Sequence, residues 1–217
     1  MIIKPHETLK NLMLVAHPLI VTKLSQMRDK QTPPAVFKAR LNEISHLMAF
    51  AVTSFLKTKH SKIETPLCAM NAEELAEPSP VLVPILRAGL GMMQGLEVIL
   101  PESPIGHIGV MRDHDTHLPV EYKVSLPPLK DRSIIIVDPM LATGHSAMHA
   151  IKVLLDHGAD PERMHFMCLL AAPEGVKNFG EAYPAIKIYT AALDSHLNEN
   201  AYIVPGLGDA GDRYFGT

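Results

Sequence analysis

The 217-residue sequence contains little cysteine, no long run of charge of one sign and no long apolar segment. Its two cysteines, Cys68 and Cys168, form no CxxC pair, so neither a disulfide framework nor a zinc knuckle is indicated. The net charge of -3 does not suit a protein that coats nucleic acid or an anionic membrane. No apolar stretch approaches the roughly 20 residues of a membrane-spanning helix. We therefore expect a cytoplasmic protein with reduced thiols and no membrane or nucleic-acid partner.

Several motifs of metal and nucleotide sites are absent as well. The 12 histidines form no HExxH motif and no tight ligand cluster, so we expect no metal held by protein side chains alone. The Walker pattern GxxxxGK[ST] does not occur, which disfavours an ATPase loop. Gly206–Gly211 matches GxGxxG, but the sequence after it leaves no room for the helix and strand of a dinucleotide-binding unit. Gly89–Gly95 has one residue too many for the same motif.

From about residue 80 onward, short apolar runs alternate with helical patterns. The runs that suit strands buried on both faces are VLVPIL, IGHIGV, SIIIVD, MHFMCLLA and KIYTAAL. Helical patterns follow the first, third and fourth of these runs. The alternation predicts right-handed crossovers and a doubly wound α/β fold with a mostly parallel sheet. We expect a single domain over residues 1–217.

Two other segments are predicted to flank this sheet. Residues 1–75 are expected to be mainly helical, because TPPAVFKARLNEISHLMAFAVTSFL repeats apolar residues at helical spacing, with Thr32 as the N-cap. The apolar stripe of this helix fits either the core or a dimer surface. The segment HDTHLPVEYKVSLPP alternates and carries turn residues, which predicts an antiparallel hairpin arm off the sheet.

A predicted strand, a short loop and a helix meet in IIIVDPMLATGHSAMHAIKVLL, residues 134–155. A helix that begins near Ser146 would offer unpaired N–H groups and partial positive charge to a phosphate, with Thr143 as a further donor. Asp138, at the strand end, would accept hydrogen bonds from sugar hydroxyl groups. The pattern indicates a site for a phosphorylated sugar. The alternative is a purely structural tight turn in which Ser146 is the N-cap of the helix.

Two arginines follow neighbouring predicted strands, Arg87 after VLVPIL and Arg112 after IGHIGV. A cation at the end of a buried strand must be desolvated unless an anion pairs with it. Ligands of open α/β sheets bind beyond the carboxyl ends of the strands, which would place both arginines beside the phosphate loop. Their guanidinium groups suit pyrophosphate oxygens, and surface salt bridges with Asp113 or Glu97 are the alternative.

Five segments together resemble the uracil phosphoribosyltransferases in order and spacing: VPILRAGLGMM, GVMRDHDTHLPVEYKVSLP, IIIVDPMLATGHSA, CLLAAPEGV and YIVPGLGDAGDRYFGT. The likeness covers nearly the whole chain. It implies the type I phosphoribosyltransferase fold, a parallel sheet with a small C-terminal hood. It also implies transfer of phosphoribose from 5-phosphoribosyl 1-pyrophosphate (PRPP) to N1 of uracil, giving UMP and pyrophosphate in pyrimidine salvage. Mg²⁺ would be held mainly through the pyrophosphate of PRPP.

The resemblance also implies roles for individual residues. The catalytic residues would be Arg87, Arg112 and Asp209. The PRPP-binding residues would be Arg87, Arg112, Asp138, Pro139, Met140, Leu141, Ala142, Thr143, Gly144, His145, Ser146 and Asp209. The uracil-binding residues would be Ile203, Gly208, Asp209 and Ala210. Asp209 would reach toward PRPP and its Mg²⁺, and it is a candidate acceptor of the uracil N1 proton.

Two positions depart from the family pattern. His145 stands where the phosphate loop usually has a second glycine, and Met111 stands where a tyrosine is common. If the loop needs a positive φ at residue 145, histidine costs about 1–2 kcal/mol there. We expect instead a reshaped loop in which His145 points outward or donates to the phosphate.

The resemblance further suggests a homodimer or homotetramer, with GTP as a candidate activator. Three alternatives stay open. One is a nucleotide-sensing regulator of the same fold, which the mildly acidic composition disfavours. The others are a catalytically silent homologue and an enzyme for another base, since backbone groups that read uracil leave few side-chain signs of the substrate.

Overall fold

The computed structural model describes residues 2–112 and 119–217, except for the side chains of residues 111, 112 and 119–122. The strands are β1 (Ile3–Pro5), β2 (Leu12–Val15), β3 (Thr58–Glu64), β4 (Ala69–Leu75), β5 (Val81–Leu86), β6 (His107–Arg112), β7 (Pro119–Ser125), β8 (Ile134–Val137), β9 (Met140–Leu141), β10 (Met164–Ala171), β11 (Lys187–Leu193), β12 (His196–Leu197) and β13 (Ile203–Val204). The α-helices are α1 (Pro18–Arg28), α2 (Pro34–Val52), α3 (Leu90–Ile99), α4 (His145–Asp156), α5 (Pro173–Ala182) and α6 (Ala210–Phe215).

A nine-stranded sheet forms the centre of the molecule, in the order β1-β2-β11-β10-β8-β5-β6-β7 with β9 beside β10. The strands from β2 to β6 in that order are parallel to their neighbours, whereas β1 and β7 run antiparallel at the two edges. All eight residues of β10 are buried, as expected for a central strand with helices on both faces. The predicted doubly wound α/β fold is confirmed.

The core has one cluster of apolar side chains on each face of the sheet. Helices α1, α2, α3 and α6 contribute to the first cluster, where Phe37 and Met48 are fully buried. Helices α4 and α5 contribute to the second, where Phe166 and Phe179 are fully buried. Across residues 2–112 and 119–217, no helix has both the length and the apolar character needed to cross a bilayer.

The N-terminal third differs from the prediction in two respects. Helix α2 begins at Pro34 and so has Pro33 rather than Thr32 at its N-cap, and the Thr32 hydroxyl donates to the Gln26 carbonyl at 2.5 Å. Strands β1 to β4 are not among the predicted elements. Nearly every residue of β3 and β4 is exposed, so these strands lack the apolar alternation that marks a half-buried strand.

The hairpin arm is formed by a different segment from the predicted one. Strand β7, from the segment HDTHLPVEYKVSLPP, pairs antiparallel with β6 and so extends the main sheet rather than leaving it. Residues 113–118 of that segment lie outside the described residues. Strands β3 and β4 form a separate two-stranded antiparallel sheet. Thr58 pairs with Leu75 at one end of this sheet, and Glu64 pairs with Ala69 at the other.

The strand order creates a crevice at one point of the sheet. The chain passes from β5 to β6 on one side, and then continues through β8, β10 and β11 on the other side of β5. The carboxyl ends of β5 and β8 therefore flank a topological switch point, which is where ligands of such sheets bind. The contact is close, since a Cβ added at Gly89 would lie 2.6 Å from the Val137 carbonyl oxygen.

Candidate active site

A cavity of about 330 Å³ lies at this switch point. Its walls come from the end of β5, from the segment that follows β8, and from the chain around β13 and the start of α6. The lining residues are Ala88, Asp138, Met140, Leu141, Ala142, Thr143, Gly144, His145, Ser146, Ala147, Asn200, Ala201, Tyr202, Ile203, Gly208, Asp209, Ala210 and Gly211. We call residues 138–146 the phosphate loop and residues 195–211 the hood.

The phosphate loop ends in an uncapped helix N-terminus. Gly144 is the N-cap of α4, has a φ of 90° and offers no side-chain cap. The first residues of α4, His145, Ser146 and Ala147, line the cavity. Their N–H groups have no partner within the helix, so an anion in the cavity can accept hydrogen bonds from them and is favoured by the helix dipole. The alternative in which Ser146 is an N-cap is wrong, because Ser146 is already helical.

Contacts from two elements hold the phosphate loop in place. Helix α5 packs directly against its backbone, since a Cβ added at Gly175 would lie 2.1 Å from the Ala142 carbonyl oxygen. The Asn178 amide of the same helix donates to the Thr143 carbonyl at 3.1 Å. On the other side, the Pro139 carbonyl accepts from the N–H groups of Leu169 and Leu170 in β10, each at 3.0 Å.

Asp138 and Asp209 bring two acidic groups to the same cavity. Asp138 is half-buried, and its burial raises the pKa of the carboxyl group to about 7. The negative charge of Asp209 raises this pKa further, whereas a hydrogen bond from the Met140 backbone lowers it. Asp209 is itself the N-cap of α6 and accepts from the Asp212 N–H at 2.9 Å. A ligand with hydroxyl donors or a cation would relieve the repulsion between the two groups.

The hood contributes small residues and backbone groups. Ile203 and Ala210 are 5% and 4% exposed and form an apolar floor, while Gly208 has a φ of 80°. With few bulky side chains here, backbone N–H and C=O groups can approach a flat ligand closely. The opposite ends of the cavity therefore differ in chemistry: one suits an anion, and the other suits a small planar group.

Comparison with known proteins identifies the family. The family model for uracil phosphoribosyltransferase matches residues 14–217. The chain belongs to this family. Two relatives named uracil phosphoribosyltransferase are each 52% identical to the chain. That from Rhodospirillum centenum aligns over 214 residues, 99% of both chains, and that from Paraburkholderia phymatum aligns over 207 residues, 95% of both.

Solved structures agree with the observed fold. The AQ2163 protein from Aquifex aeolicus superposes with a TM-score of 0.89 and 31% identity, over 95% of this chain and 98% of that one. The adenine phosphoribosyltransferase from Leishmania donovani superposes with a TM-score of 0.59 and 13% identity, over 92% and 89%. The second likeness shows the fold alone, and it supports the expected type I phosphoribosyltransferase fold.

His145, the departure from the usual phosphate loop of the uracil phosphoribosyltransferases, is not strained. Among the described residues, the non-glycine residues with a positive φ are Asp131 and Ala201. The left-handed conformation falls on Gly144, one residue earlier. His145 is exposed, lines the cavity, and places its N–H 3.5 Å from the Thr143 hydroxyl oxygen. The second departure, Met111, has a side chain outside the described residues.

Some of the predicted site residues line the cavity, and others do not. Most of the phosphate loop and all four predicted hood residues line it. Pro139 does not line it; this residue is buried, and its carbonyl accepts from β10. Arg87 does not line the cavity either. It is exposed rather than desolvated, and its guanidinium lies 5.5 Å from the centre of the Phe215 ring. Arg112 ends β6, and its side chain is not among those described.

Six lining residues were not predicted: Ala88, Ala147, Asn200, Ala201, Tyr202 and Gly211. The position of Ala88 directly after β5 is a signal that the switch-point rule could have used. The turn before β13 gives no such signal. It is shaped by the Asn198 side chain, which accepts from the N–H groups of Asn200 and Tyr202 at 3.0 and 2.9 Å.

Proposed function

We propose that the protein transfers the phosphoribosyl group of PRPP to N1 of uracil, with UMP and pyrophosphate as products. The observation that carries this proposal is a single cavity that joins an uncapped helix N-terminus to a small backbone-lined recess. These two ends match the 5-phosphate of PRPP and the pyrimidine ring. The relatives named uracil phosphoribosyltransferase support the same assignment.

The residues of the chain divide the substrates between them. The first N–H groups of α4, with the hydroxyl groups of Thr143 and Ser146, bind the 5-phosphate. Asp138 accepts hydrogen bonds from the ribose hydroxyl groups. Backbone groups near Ile203 and Gly208 read the two carbonyls and the N3–H of uracil. Arg87 directly follows β5, Arg112 is the last residue of the adjacent β6, and both are the candidate ligands of the pyrophosphate.

The transfer breaks the bond between the anomeric carbon and the pyrophosphate oxygen and forms a bond from that carbon to uracil N1. Positive charge develops on the ribose while negative charge gathers on the departing pyrophosphate. In this proposal Arg87 and Arg112 pair with that negative charge, and charged groups oriented before the reaction lower such a barrier. The N1 proton of uracil must leave, and Asp209, which lines the cavity, is the candidate acceptor.

The acids of the cavity fit a Mg²⁺ ion that takes most of its ligands from the substrate. Asp138 and Asp209 provide carboxylate oxygens, and their mutual repulsion would be relieved by a divalent cation. No group of three or more His, Cys, Asp or Glu able to hold a metal occurs in the part of the chain that the structure describes. Such a donor set suits an ion bound through one or two carboxylates and substrate phosphates. When bound, Mg²⁺ neutralises charge on the leaving pyrophosphate.

The test is pyrophosphate release with PRPP, Mg²⁺ and one of four bases: uracil, cytosine, hypoxanthine or orotate. We expect turnover with uracil alone. Pyrophosphate release with a different base would show that uracil is not the substrate. No release with any of the four bases would overturn the proposal. Assembly as a homodimer or homotetramer, activation by GTP and a cytoplasmic location stay predictions. Sedimentation velocity and the same assay with added GTP test the first two.

A further inference from the structure

Residues 205–207 connect β13 to the cavity-lining residues 208–211, and we call this segment the hood loop. Two arginines from outside the hood loop bind its carbonyl groups. Arg28, the last residue of α1, donates from Nη1 to the Gly206 carbonyl at 2.7 Å. Arg213, in α6, donates from Nη1 to the Leu207 carbonyl at 2.9 Å. Consecutive backbone groups are thus fixed by different side chains.

The first anchor is an ion pair that holds both backbone groups of one residue. Arg28 donates from Nη1 and Nη2 to the two carboxylate oxygens of Asp194, at 2.7 and 2.6 Å. Asp194 Oδ2 also accepts from the Gly206 N–H at 2.8 Å. The Asp194 side chain is only 5% exposed, so these charge-assisted bonds are shielded from water. Gly206 has little freedom here, because an added Cβ would lie 2.0 Å from the Ile203 carbonyl oxygen.

The second anchor joins the hood loop to the C-terminal end of α1. Arg213 donates to the carbonyl of Met27, and from Nη2 to the carbonyl of Asp29 at 2.6 Å. Its guanidinium lies over the Phe37 ring, 4.7 Å from the ring centre. The last carbonyls of a helix lack intrahelical partners and favour a cation, so Arg213 satisfies α1 and the hood loop together.

Neither the arginines nor Asp194 lines the cavity. Their side chains bind the backbone of Gly206 and Leu207, directly before the cavity-lining residues Gly208 and Asp209. Recognition by backbone groups depends on their position, because small misplacements weaken binding and slow reaction. The phosphate loop, in contrast, is held by α5 and β10, which supply separate contacts.

We propose that Arg28, Asp194 and Arg213 are positioning residues that set the affinity for the pyrimidine base by fixing the hood loop. This inference rests on the proposed function. It assigns the two ends of the cavity to separate supports, so that affinity for the base can change while affinity for PRPP stays nearly constant.

The experiment compares Asp194→Asn and Arg28→Lys with wild type. Asparagine keeps an oxygen for the Gly206 N–H but loses the charge, and lysine keeps the charge but loses the two-pronged geometry. Arg163→Lys is the matched control, because Arg163 pairs with Glu77 at 2.6 Å with a similarly exposed side chain, at the other ends of the strands. For each protein, the KM for uracil, the Kd for PRPP and the Tm are measured.

We expect the KM for uracil to rise about tenfold or more in both variants, while the Kd for PRPP changes less than about threefold. The control is expected to lower the Tm without moving either constant. An unchanged KM for uracil, or an equal loss in both constants, would overturn the inference while leaving the proposed function intact. If a variant shows no cooperative melting, Arg213→Lys is measured in its place. Absence of uracil turnover in the wild type would overturn the proposed function and this inference with it.

Discussion

At the scale of single residues, Asp138 places a carboxyl group where the fold favours its neutral form below about pH 7. Its pKa of about 7 exceeds the ordinary value of 3.8, chiefly because of burial. Between these two values the folded protein holds a proton that the unfolded chain releases. Rising pH therefore lowers the free energy of unfolding, by at most about 4 kcal/mol once pH 7 is passed.

Asp138→Asn is expected to remove this dependence, because the amide keeps the shape of the side chain and cannot ionise. Relative to wild type, the variant should gain 1 kcal/mol or more of unfolding free energy on going from about pH 5 to pH 8. Urea unfolding at both pH values measures the difference. Parallel pH profiles for the two proteins would contradict the prediction. The same variant should lose at least about tenfold in kcat/KM, since in the proposed function the ribose hydroxyl groups then face one neutral amide oxygen and an NH₂ donor instead of a charged carboxylate.

His145 gives a second test at this scale. Since the positive φ lies at Gly144, replacing His145 relieves no strain, and His145 lines the cavity beside the proposed 5-phosphate site. We expect both His145→Ala and His145→Gly to weaken PRPP binding about two- to fivefold. Calorimetric titration with PRPP measures this. A tenfold gain in the glycine variant alone would show that the loop is strained after all.

The sequence predicts site residues best where the chain is contiguous. Thr143, Ser146 and Asp138 are placed correctly because a strand, a loop and a helix fix their separation. Arg87 was expected to be desolvated, but no local pattern reveals that Phe215, 128 positions away, offers its ring to the guanidinium. Contacts between distant segments depend on packing that one sequence does not encode locally.

At the scale of secondary-structure elements, α5 shapes the phosphate loop through the close approach of Gly175 to Ala142. Gly175→Ala should push the loop away from α5 and raise the Kd for PRPP about tenfold or more, with a loss of about 1–3 kcal/mol in stability. Gly180→Ala is the control in the same helix. A Cβ at Gly180 meets side-chain atoms of Asn11, from 2.9 Å, rather than backbone.

Calorimetric titration of both variants with PRPP tests whether α5 supports the phosphate loop. The control should keep the Kd for PRPP of the wild type. An unchanged Kd for PRPP in Gly175→Ala would mean that the phosphate loop can shift without weakening PRPP binding, and that α5 does not support the loop.

The elements themselves were predictable to the extent that they are buried. Strands β10 and β11 coincide with the apolar runs MHFMCLLA and KIYTAAL, because a central parallel strand has no polar face. Strands β3 and β4 escaped prediction because they pair with each other away from the core and carry mostly exposed side chains. The position of β7 depends on the free edge of β6, which is a tertiary property.

At the scale of the whole molecule, a second titrating group changes the free energy of unfolding with pH in the direction opposite to Asp138. His165 is 7% exposed and stacks on Phe55 with ring centres 3.7 Å apart, beside a cavity at the opposite ends of the strands. Burial lowers the pKa of His165 to about 4, and the charge of Lys187 lowers it further. Between about pH 6.5 and pH 4 the unfolded chain binds a proton that the fold excludes. Falling pH therefore lowers the free energy of unfolding, by at most about 3 kcal/mol.

The two groups have opposite slopes over this range, so the stability of the wild type should vary less with pH than that of either variant. We expect His165→Gln to unfold more easily as pH rises from about 4.5 to 6.5, and Asp138→Asn to unfold less easily. Urea unfolding of the three proteins at both pH values tests this. Slopes of the same sign in the two variants would refute it.

The two ends of the cavity belong to different layers of the molecule. The phosphate loop leads into α4 and rests on α5, beneath one face of the sheet, whereas the hood is tied to α1 and α6 above the other. A nucleotide that fills both ends would consequently contact both layers and connect them. A free base or a free phosphate would contact one layer alone, so we expect a whole nucleotide to stabilise the fold more than either part.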